Sequence, residues 1–542
     1  MKSNKNNLVL LPIAIAVSIV IGITIGGKFS NSGGIHFSDR KINTILNLVS
    51  DGYVDTVNIN NIVEQTIPQL LSNLDPHTVY IPSKDLNAVN EELDGSFSGI
   101  GVSFFLMNDT VRIIEVLSGG PSEKAGLIAG DKIVAINDSA FVGPSINNQA
   151  VFNKLRGIKG SKVKLGIKRN NTNDILSYDI TRGDIPMVSI DASYMVDKEI
   201  GYIRIDKFAR TTYDEFLQAL VKLKNEGAEK YILDLRGNGG GFMEMAILMA
   251  NEFLPENSLI VYTKGRERKN DQQFWSDGNG SFQNVELAIL IDEFSASASE
   301  ILAGAIQDND RGLIVGRRSF GKGLVQKQFQ LNDSSAVRMT VSRYYTPSGR
   351  CIQKDYKKGE EAYNQDIYDR YAHGELSNKD SIRIDTSNVF MTVNHRKVYG
   401  GGGIVPDIFV PTDTSGITSY YINVSNAGLL QKFAYEFAEI NRDEFKELND
   451  YKQFLRILPS NNSLLYDFVT YASKNGVPAR WFYINQSKSL IVNQLKALIA
   501  RDIFGTEAFY PIYNKNDKMI QKAVKAFNEN KASIPISENI SN

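Results

Sequence analysis

Cysteine is almost absent: Cys351 is the only one in 542 residues, which excludes an internal disulfide. Arg350 beside it would favour its thiolate, but a lone cysteine reads first as a small apolar filler. Histidine is nearly as scarce. His36, His77, His373 and His395 form the whole set, and no two stand at a metal-ligand spacing, which argues against a zinc hydrolase. Charge of one sign is missing too. Lys plus Arg is 60 and Asp plus Glu is 61, a formal net charge of -1, so no basic footprint marks a nucleic-acid partner. What remains is ordinary globular composition, 42% hydrophobic and 22% charged, in a chain long enough for more than one core.

The N-terminus carries a targeting signal. Lys2 and Lys5 precede an apolar run from Leu8 to Gly26, broken only by Pro12, Ser18 and Thr24. At about 1.5 Å per residue this run nearly spans a hydrocarbon core. The positive flank predicts a cytoplasmic N-terminus, with the bulk of the chain outside. Residues 1–30 therefore read as a membrane anchor or signal peptide. No Ala-x-Ala site follows the run, which favours the uncleaved anchor, and no cysteine follows it, which excludes an acylated lipoprotein.

Gly27 to Gly34 reads as a short flexible linker. Residues 39–94 are expected to be helical, with Ile42, Ile45, Leu46 and Val49 at helical spacing and a turn at Asp75-Pro76. Residues 95–183 change character. Short β-like runs, Gly101–Leu106, Val111–Val116, Lys132–Ile136 and Lys162–Lys168, with a short helix at Pro121–Gly126, predict a small mostly-β domain. Residues 184–415 read as α/β. Strands are expected at Ile200–Ile205, Lys230–Leu235, Leu287–Ile291 and Leu313–Gly316, and helices at Tyr213–Glu226, Phe242–Phe253 and Ser297–Gln307. This alternation predicts a buried, largely parallel sheet. Residues 416–542 are helical again, marked by Leu430, Phe433, Ala434 and Phe437 and by Leu490, Val492, Leu495, Leu498 and Ile499. They read as an accessory domain packed on the rest or as a substrate-engaging surface, with a frayed tail from Ile534.

Three segments carry chemistry. In Asp234-Leu-Arg-Gly-Asn-Gly-Gly-Gly241 a buried strand runs into a glycine turn whose N–H groups can converge on an oxyanion or phosphate. No Gly-Lys-Ser/Thr and no dinucleotide spacing supports phosphate, and a tight strand-to-helix turn is the plain alternative. In Ser295-Ala-Ser297-Ala-Ser-Glu300 a serine stands at a helix start, where free N–H groups and the helix dipole favour a developing oxyanion. A mere N-cap is the plain alternative there. In Ser319-Phe-Gly-Lys322-Gly-Leu-Val-Gln326 the lysine lies between two glycines, and it can act as a base only if burial lowers its pKa.

Together these segments resemble the C-terminal-processing peptidases, or tail-specific proteases, which join a PDZ domain to a peptidase core of the crotonase and caseinolytic-protease fold. Ser-Ala-Ser-Ala-Ser-Glu matches the family's nucleophile motif with Ser297 in the middle. Lys322 stands 25 residues on, and Gln326 four residues after it. Asp234–Gly241 and Gly400–Asp407 match two further signatures, and the resemblance covers roughly residues 40 to 411. It implies a serine endopeptidase in which neutral Lys322 takes the proton of Ser297, Gln326 orients Lys322, and the N–H groups of Ala298 and Gly240 hold the oxyanion. It implies no metal and no organic cofactor.

The resemblance also makes residues 95–183 a PDZ domain. Gly99, Ile100, Gly101 and Val102 would then capture the free C-terminus of a protein or peptide substrate, with Ile100, Val102 and Phe104 helping to line a side-chain pocket. With the anchor, it implies a single-pass protein of the bacterial inner membrane with its catalytic part in the periplasm or extracytoplasmic space, and a possible homo-oligomer. The competing class is a membrane-tethered PDZ scaffold with a dead peptidase fold, against which the intact Ser297, Lys322 and Gln326 stand. A cytoplasmic acyl-CoA enzyme of the related fold conflicts with the anchor.

Overall fold

The computed structural model describes residues 36–529, apart from 108, 170, 171, 173, 446 and 449. The apolar run Leu8–Gly26, the linker and the tail from Ile534 lie outside the described residues. Among those described, no helix is long and apolar enough to cross a membrane.

The chain divides into two units, Met1–Asn73 and Leu74–Asn542. The first holds helices His36–Gly52 and Ile59–Leu71. Its apolar side chains Ile42, Ile45 and Leu48 remain exposed among the described residues, so the helical spacing read from the sequence marks a face that no described residue of this unit covers. In the second unit the expected helical stretch is interrupted. Val79–Ile81 is a strand antiparallel to Ala336–Arg338, and helix resumes at Ser83–Asp94. Tertiary pairing decides the state of this β-branched and aromatic triplet, whose local signal is weak.

The centre is a six-stranded sheet ordered Ile190–Met195, Ile200–Ile205, Lys230–Asp234, Glu286–Ile291, Leu313–Gly316 and Ile408–Phe409. Only the first strand is antiparallel to its neighbour. A parallel sheet must be covered on both faces. Helices Thr212–Asn225, Met243–Asn251 and Ala298–Asp308 cover one, with Phe216, Leu220, Met249, Leu302 and Ile306 buried against the strands. The other is covered by the last helix, Lys518–Asn528, through Met519, Ile520, Ala523, Ala526 and Phe527. This corrects the reading of everything after 415 as accessory: the final helix is a layer of the core. Asp517 caps it, accepting from the N–H groups of Met519 at 2.9 Å and Ile520 at 3.0 Å, and pairs with Arg236 at 2.6 Å.

A second, antiparallel sheet was not foreseen. Ala336–Tyr345 is paired on one side by Leu324–Gln330 and on the other by Val79–Ile81 and Leu259–Gly265, with Gln272–Trp275 outermost. It carries the segment that follows Lys322.

Between Ser96–Gly99 and Gly183–Pro186, which pair as a two-stranded ribbon, the chain forms an antiparallel sheet ordered Val102–Met107, Thr110–Val116, Lys132–Ile136, Lys162–Lys168 and Ile175–Thr181. The last of these strands and the helix Asn148–Leu155 had no reading in the sequence. The remaining helices, from Ser419 to Tyr513, close a separate aromatic-rich core around Phe433, Phe454, Phe468 and Leu495.

Candidate active site

The strand Lys230–Asp234 ends in the glycine turn. Asp234 is fully buried and accepts from the Tyr202 hydroxyl at 2.6 Å and from Arg236, whose guanidinium folds back on it at 2.5 Å. Burial pushes the carboxyl up, but Arg236, Arg204 and Tyr202 more than offset it and leave the pKa at about 2. This ionised group pins the start of the turn. Asn238, also buried, pins its middle. Its Nδ2 donates to Ile205 O at 2.9 Å, and its carbonyl accepts from Ala296 N at 3.0 Å and Ser299 Oγ at 2.9 Å. The glycine turn and the serine turn are therefore stitched together by one asparagine.

Gly240 must be glycine. Its φ is +103°, and a Cβ there would fall 2.8 Å from both Ala296 O and Ser297 Cβ. Its expected role as oxyanion donor is corrected, because its N–H is engaged by Asn238 Oδ1 at 2.8 Å. Its absent side chain instead makes room for Ser297.

The strand Glu286–Ile291 leads to the serine turn. Asp292 accepts from Gly237 N at 3.0 Å and Phe294 N at 3.1 Å, and Ser295 Oγ donates to Leu235 O at 2.8 Å. Ser297 follows at φ +56° and ψ -113°, a conformation that side-chain-bearing residues rarely hold. It caps the helix, which begins at Ala298 and not at Ser297 as the sequence suggested. The Ala298 N–H has no acceptor among the described residues, so it is left free beside the helix N-terminus.

Glu300, one turn into that helix, is a residue that sequence reasoning missed. It is fully buried and accepts from Ser297 N at 2.9 Å, Ser319 Oγ at 2.5 Å, Gly321 N at 2.7 Å and Lys322 N at 2.8 Å. One carboxyl thus ties the serine turn to the lysine loop. Burial raises its pKa to about 7 against the four donors, which favour the carboxylate. The signal was available: Ser297 and Glu300 stand at capping-box spacing. Tyr344, buried on the antiparallel sheet, adds a second tie. Its hydroxyl lies 2.6 Å from Lys322 O and 3.1 Å from Ser297 O.

Lys322 itself points inward. Burial, aided by the Arg338 charge, lowers its pKa, while Glu300 and Asp75 oppose the shift. Its Nζ donates to Gln326 Oε1 at 3.2 Å. Ser297, Lys322 and Gln326 line one cavity of about 1010 Å³, together with Gly239–Gly241, Phe208 and Arg338. The three residues named from the sequence are therefore brought together. Among the described residues no group of three or more His, Cys, Asp or Glu is placed to hold a metal ion.

The loop Gly99–Val102 lies apart from this cavity's lining. Gly101 has a φ of +75°, a left-handed conformation that glycine holds without strain. The Ile100 side chain is 2% exposed and belongs to the small domain's core with Val111, Ile113 and Leu127, so it does not line a pocket. Val102 and Phe104 remain partly exposed on the outermost strand. Phe104 meets Phe152 of the helix Asn148–Leu155 edge to face, with centroids 5.3 Å apart. The outer edge of Val102–Met107 pairs with no strand among the described residues.

A strand–glycine-turn–helix scaffold holding a strained serine on the same cavity as a partly buried lysine defines a serine-type peptidase core, and comparisons with known proteins agree. Residues 199–361 match Peptidase family S41, residues 98–180 match the PDZ domain, and residues 420–505 match a family of unknown function. The chain is 32% identical over 351 residues to the carboxy-terminal processing protease CtpB of Bacillus subtilis, spanning 64% of this chain and 72% of that one. It is 33% identical over 314 residues to the carboxy-terminal-processing protease of Bartonella bacilliformis, 57% and 71% respectively. To the carboxyl-terminal-processing protease of Synechocystis it is 36% identical over 294 residues, 53% and 68%. The chain belongs to the carboxy-terminal processing protease family of serine peptidases.

Proposed function

We propose that the protein is an endopeptidase that cleaves extracytoplasmic protein substrates near their C-termini with a Ser297/Lys322 dyad. The observation that carries this reading is the placement of Ser297 and an inward-facing, pKa-lowered Lys322 in one cavity. Neutral Lys322 Nζ takes the Ser297 Oγ proton as the oxygen attacks the scissile carbonyl. The Ala298 N–H, at the positive end of its helix, donates to the oxyanion. Collapse breaks the C–N bond, and the leaving amine takes the proton from Lys322. Water, deprotonated by Lys322, then releases the acyl group and restores Ser297. Gln326 holds Lys322 in register.

In the same reading the PDZ domain captures the substrate's terminal carboxylate at the Gly99–Val102 turn, and the tail adds as a strand along the open edge of Val102–Met107. The apolar run Leu8–Gly26 tethers the protein to the inner membrane with its catalytic part outside, and the exposed Ile42, Ile45 and Leu48 pair with a second copy. The test is turnover of a protein carrying an apolar C-terminal tail. Loss of cleavage in both Ser297→Ala and Lys322→Ala, with cooperative unfolding retained, is expected. Cleavage at the wild-type rate by Lys322→Ala at neutral pH would overturn the dyad.

A further inference from the structure

We propose that the turn Asp75-Pro76-His77-Thr78 is a positioning element of the peptidase site, acting through Gln326. The inference rests on the dyad reading above. A glutamine side chain can present either its oxygen or its NH2 to a neighbour, and the two faces have opposite consequences here. With Oε1 toward Lys322, the lysine donates to it at 3.2 Å and keeps its lone pair for the serine proton. With Nε2 toward Lys322, the amide would donate to that lone pair and occupy it. Something must therefore fix the amide's polarity.

The His77 carbonyl does so. Gln326 Nε2 donates to His77 O, and a carbonyl oxygen only accepts, so the flipped amide has no bond to make there. The turn that presents this carbonyl is itself fastened. Asp75 is buried and accepts from His77 N at 2.9 Å, Thr78 N at 3.1 Å and Thr78 Oγ1 at 2.6 Å. It also accepts from Thr340 Oγ1 at 3.1 Å, while Thr340 N donates to Thr78 Oγ1 at 3.2 Å. Thr340 is the residue paired with Gln326 across the antiparallel ladder. Asp75 and Thr78 thus grip the strand directly opposite Gln326, and the short strand Val79–Ile81 continues the same attachment to Ala336–Arg338.

The His77 ring closes the arrangement. Its Nε2 lies 2.8 Å from the hydroxyl of buried Tyr363, and the ring packs edge to face on Tyr363 and Phe320. Burial, with Lys322 nearby, lowers its pKa to about 4, so the imidazole is neutral at neutral pH and adds no charge beside the base. Apart from the His77 contacts with Tyr363, which stands on the helix Glu360–Ala372, the side-chain bonds described for the turn lead to the lysine loop, to Gln326 or to the strand that pairs with it. None leads to the serine turn. Its positioning effect should therefore pass through Gln326, whereas the Asp75 charge also acts directly on Lys322 and raises its pKa, so kcat is compared on the plateau above the acid limb.

The experiment is a double-mutant cycle on full-length protein, with Asp75→Asn and Thr340→Val each combined with Gln326→Ala, and kcat and KM measured separately for a tailed protein substrate. Each single variant is expected to lose roughly 10- to 100-fold in kcat with KM unchanged, the scale of a misplaced catalytic group. Each double variant should be no slower than Gln326→Ala alone, because two residues that act as one unit do not add. Multiplicative losses, or a loss confined to KM, would overturn the proposal. Thr340→Val keeps the test available where Asp75→Asn does not fold. If Lys322→Ala turns over at the wild-type rate, the dyad fails. If Lys322→Ala is dead but the cycles are multiplicative, only this inference fails.

Discussion

The peptidase cleft and the Gly99–Val102 loop of the PDZ domain, proposed above to hold the substrate tail, are assembled in opposite ways. The loop Gly99–Val102 is one contiguous stretch whose key feature is a positive φ at Gly101, a property written locally. The cleft draws on segments near Asp75, Asn238, Ser297, Lys322 and Tyr344, joined by hydrogen bonds between residues far apart in the chain. A binding loop needs only a backbone shape. A catalytic dyad needs two side chains in register and a tuned pKa, and only tertiary contacts supply those.

The largest expected effect tests that contrast directly. Ser297→Ala or Lys322→Ala should lower kcat/KM by about 10⁴-fold or more and leave binding of a tail peptide to the PDZ domain unchanged; equilibrium binding beside turnover reads both. A large loss of tail binding in either variant would show that the two regions are not independent. Next is Glu300→Gln, which keeps size but presents an NH2 either to Ser319 Oγ and Gly321 N or to Ser297 N and Lys322 N, so one of the two donor pairs loses its acceptor. A roughly 10²- to 10³-fold loss of kcat is expected, the scale of losing organised hydrogen bonds at a reacting centre, with the tail site again unaffected.

The PDZ loop should respond more mildly and only in binding. Amidating the C-terminus of a tail peptide removes its charge and should weaken binding to Ser297→Ala by about tenfold, near 1.4 kcal/mol. Equal affinity of acid and amide would remove carboxylate capture while leaving the peptidase reading intact. The smallest effect is a pH shift. In the proposed mechanism Lys322 acts as a neutral base, so activity is expected to rise as pH passes its pKa, which lies below the ordinary lysine value. The Arg338 charge contributes to that lowering, so Arg338→Gln should move the acid limb of kcat/KM to higher pH. An acid limb that moves down would show that Lys322 is not the titrating group.

Legibility followed the same division. The strands Lys132–Ile136 and Lys162–Lys168 were read residue for residue, because alternation and bounding glycines are local signals. Ser297, Lys322 and Gln326 were singled out through ordered motifs, and they line one cavity. Glu300 was overlooked although its spacing announced it, Asp75 was read only as part of a turn and Asn238 only as a motif position, and Tyr344 had no reading at all. Gly240 was placed in the right turn with the wrong duty: a sequence shows that a glycine is needed, not which acceptor its N–H will meet. Ile100 was expected to help line a side-chain pocket but lies in the small domain's core, since a residue's face is set by how its segment docks.

The chain order of the motifs, the need for glycine at the turns, the helical and β stretches and the identity of the candidate reacting side chains are all properties of the sequence by itself, because each depends on neighbours a few residues away. The strained φ of Ser297, the union of the serine turn and lysine loop on one buried carboxyl, the orientation of Gln326 and the enlistment of the last helix as a wall of the core were decided only by the tertiary structure. Each requires groups tens to hundreds of residues apart to meet where water is excluded, and there an unpaired polar atom is costly enough to select one arrangement.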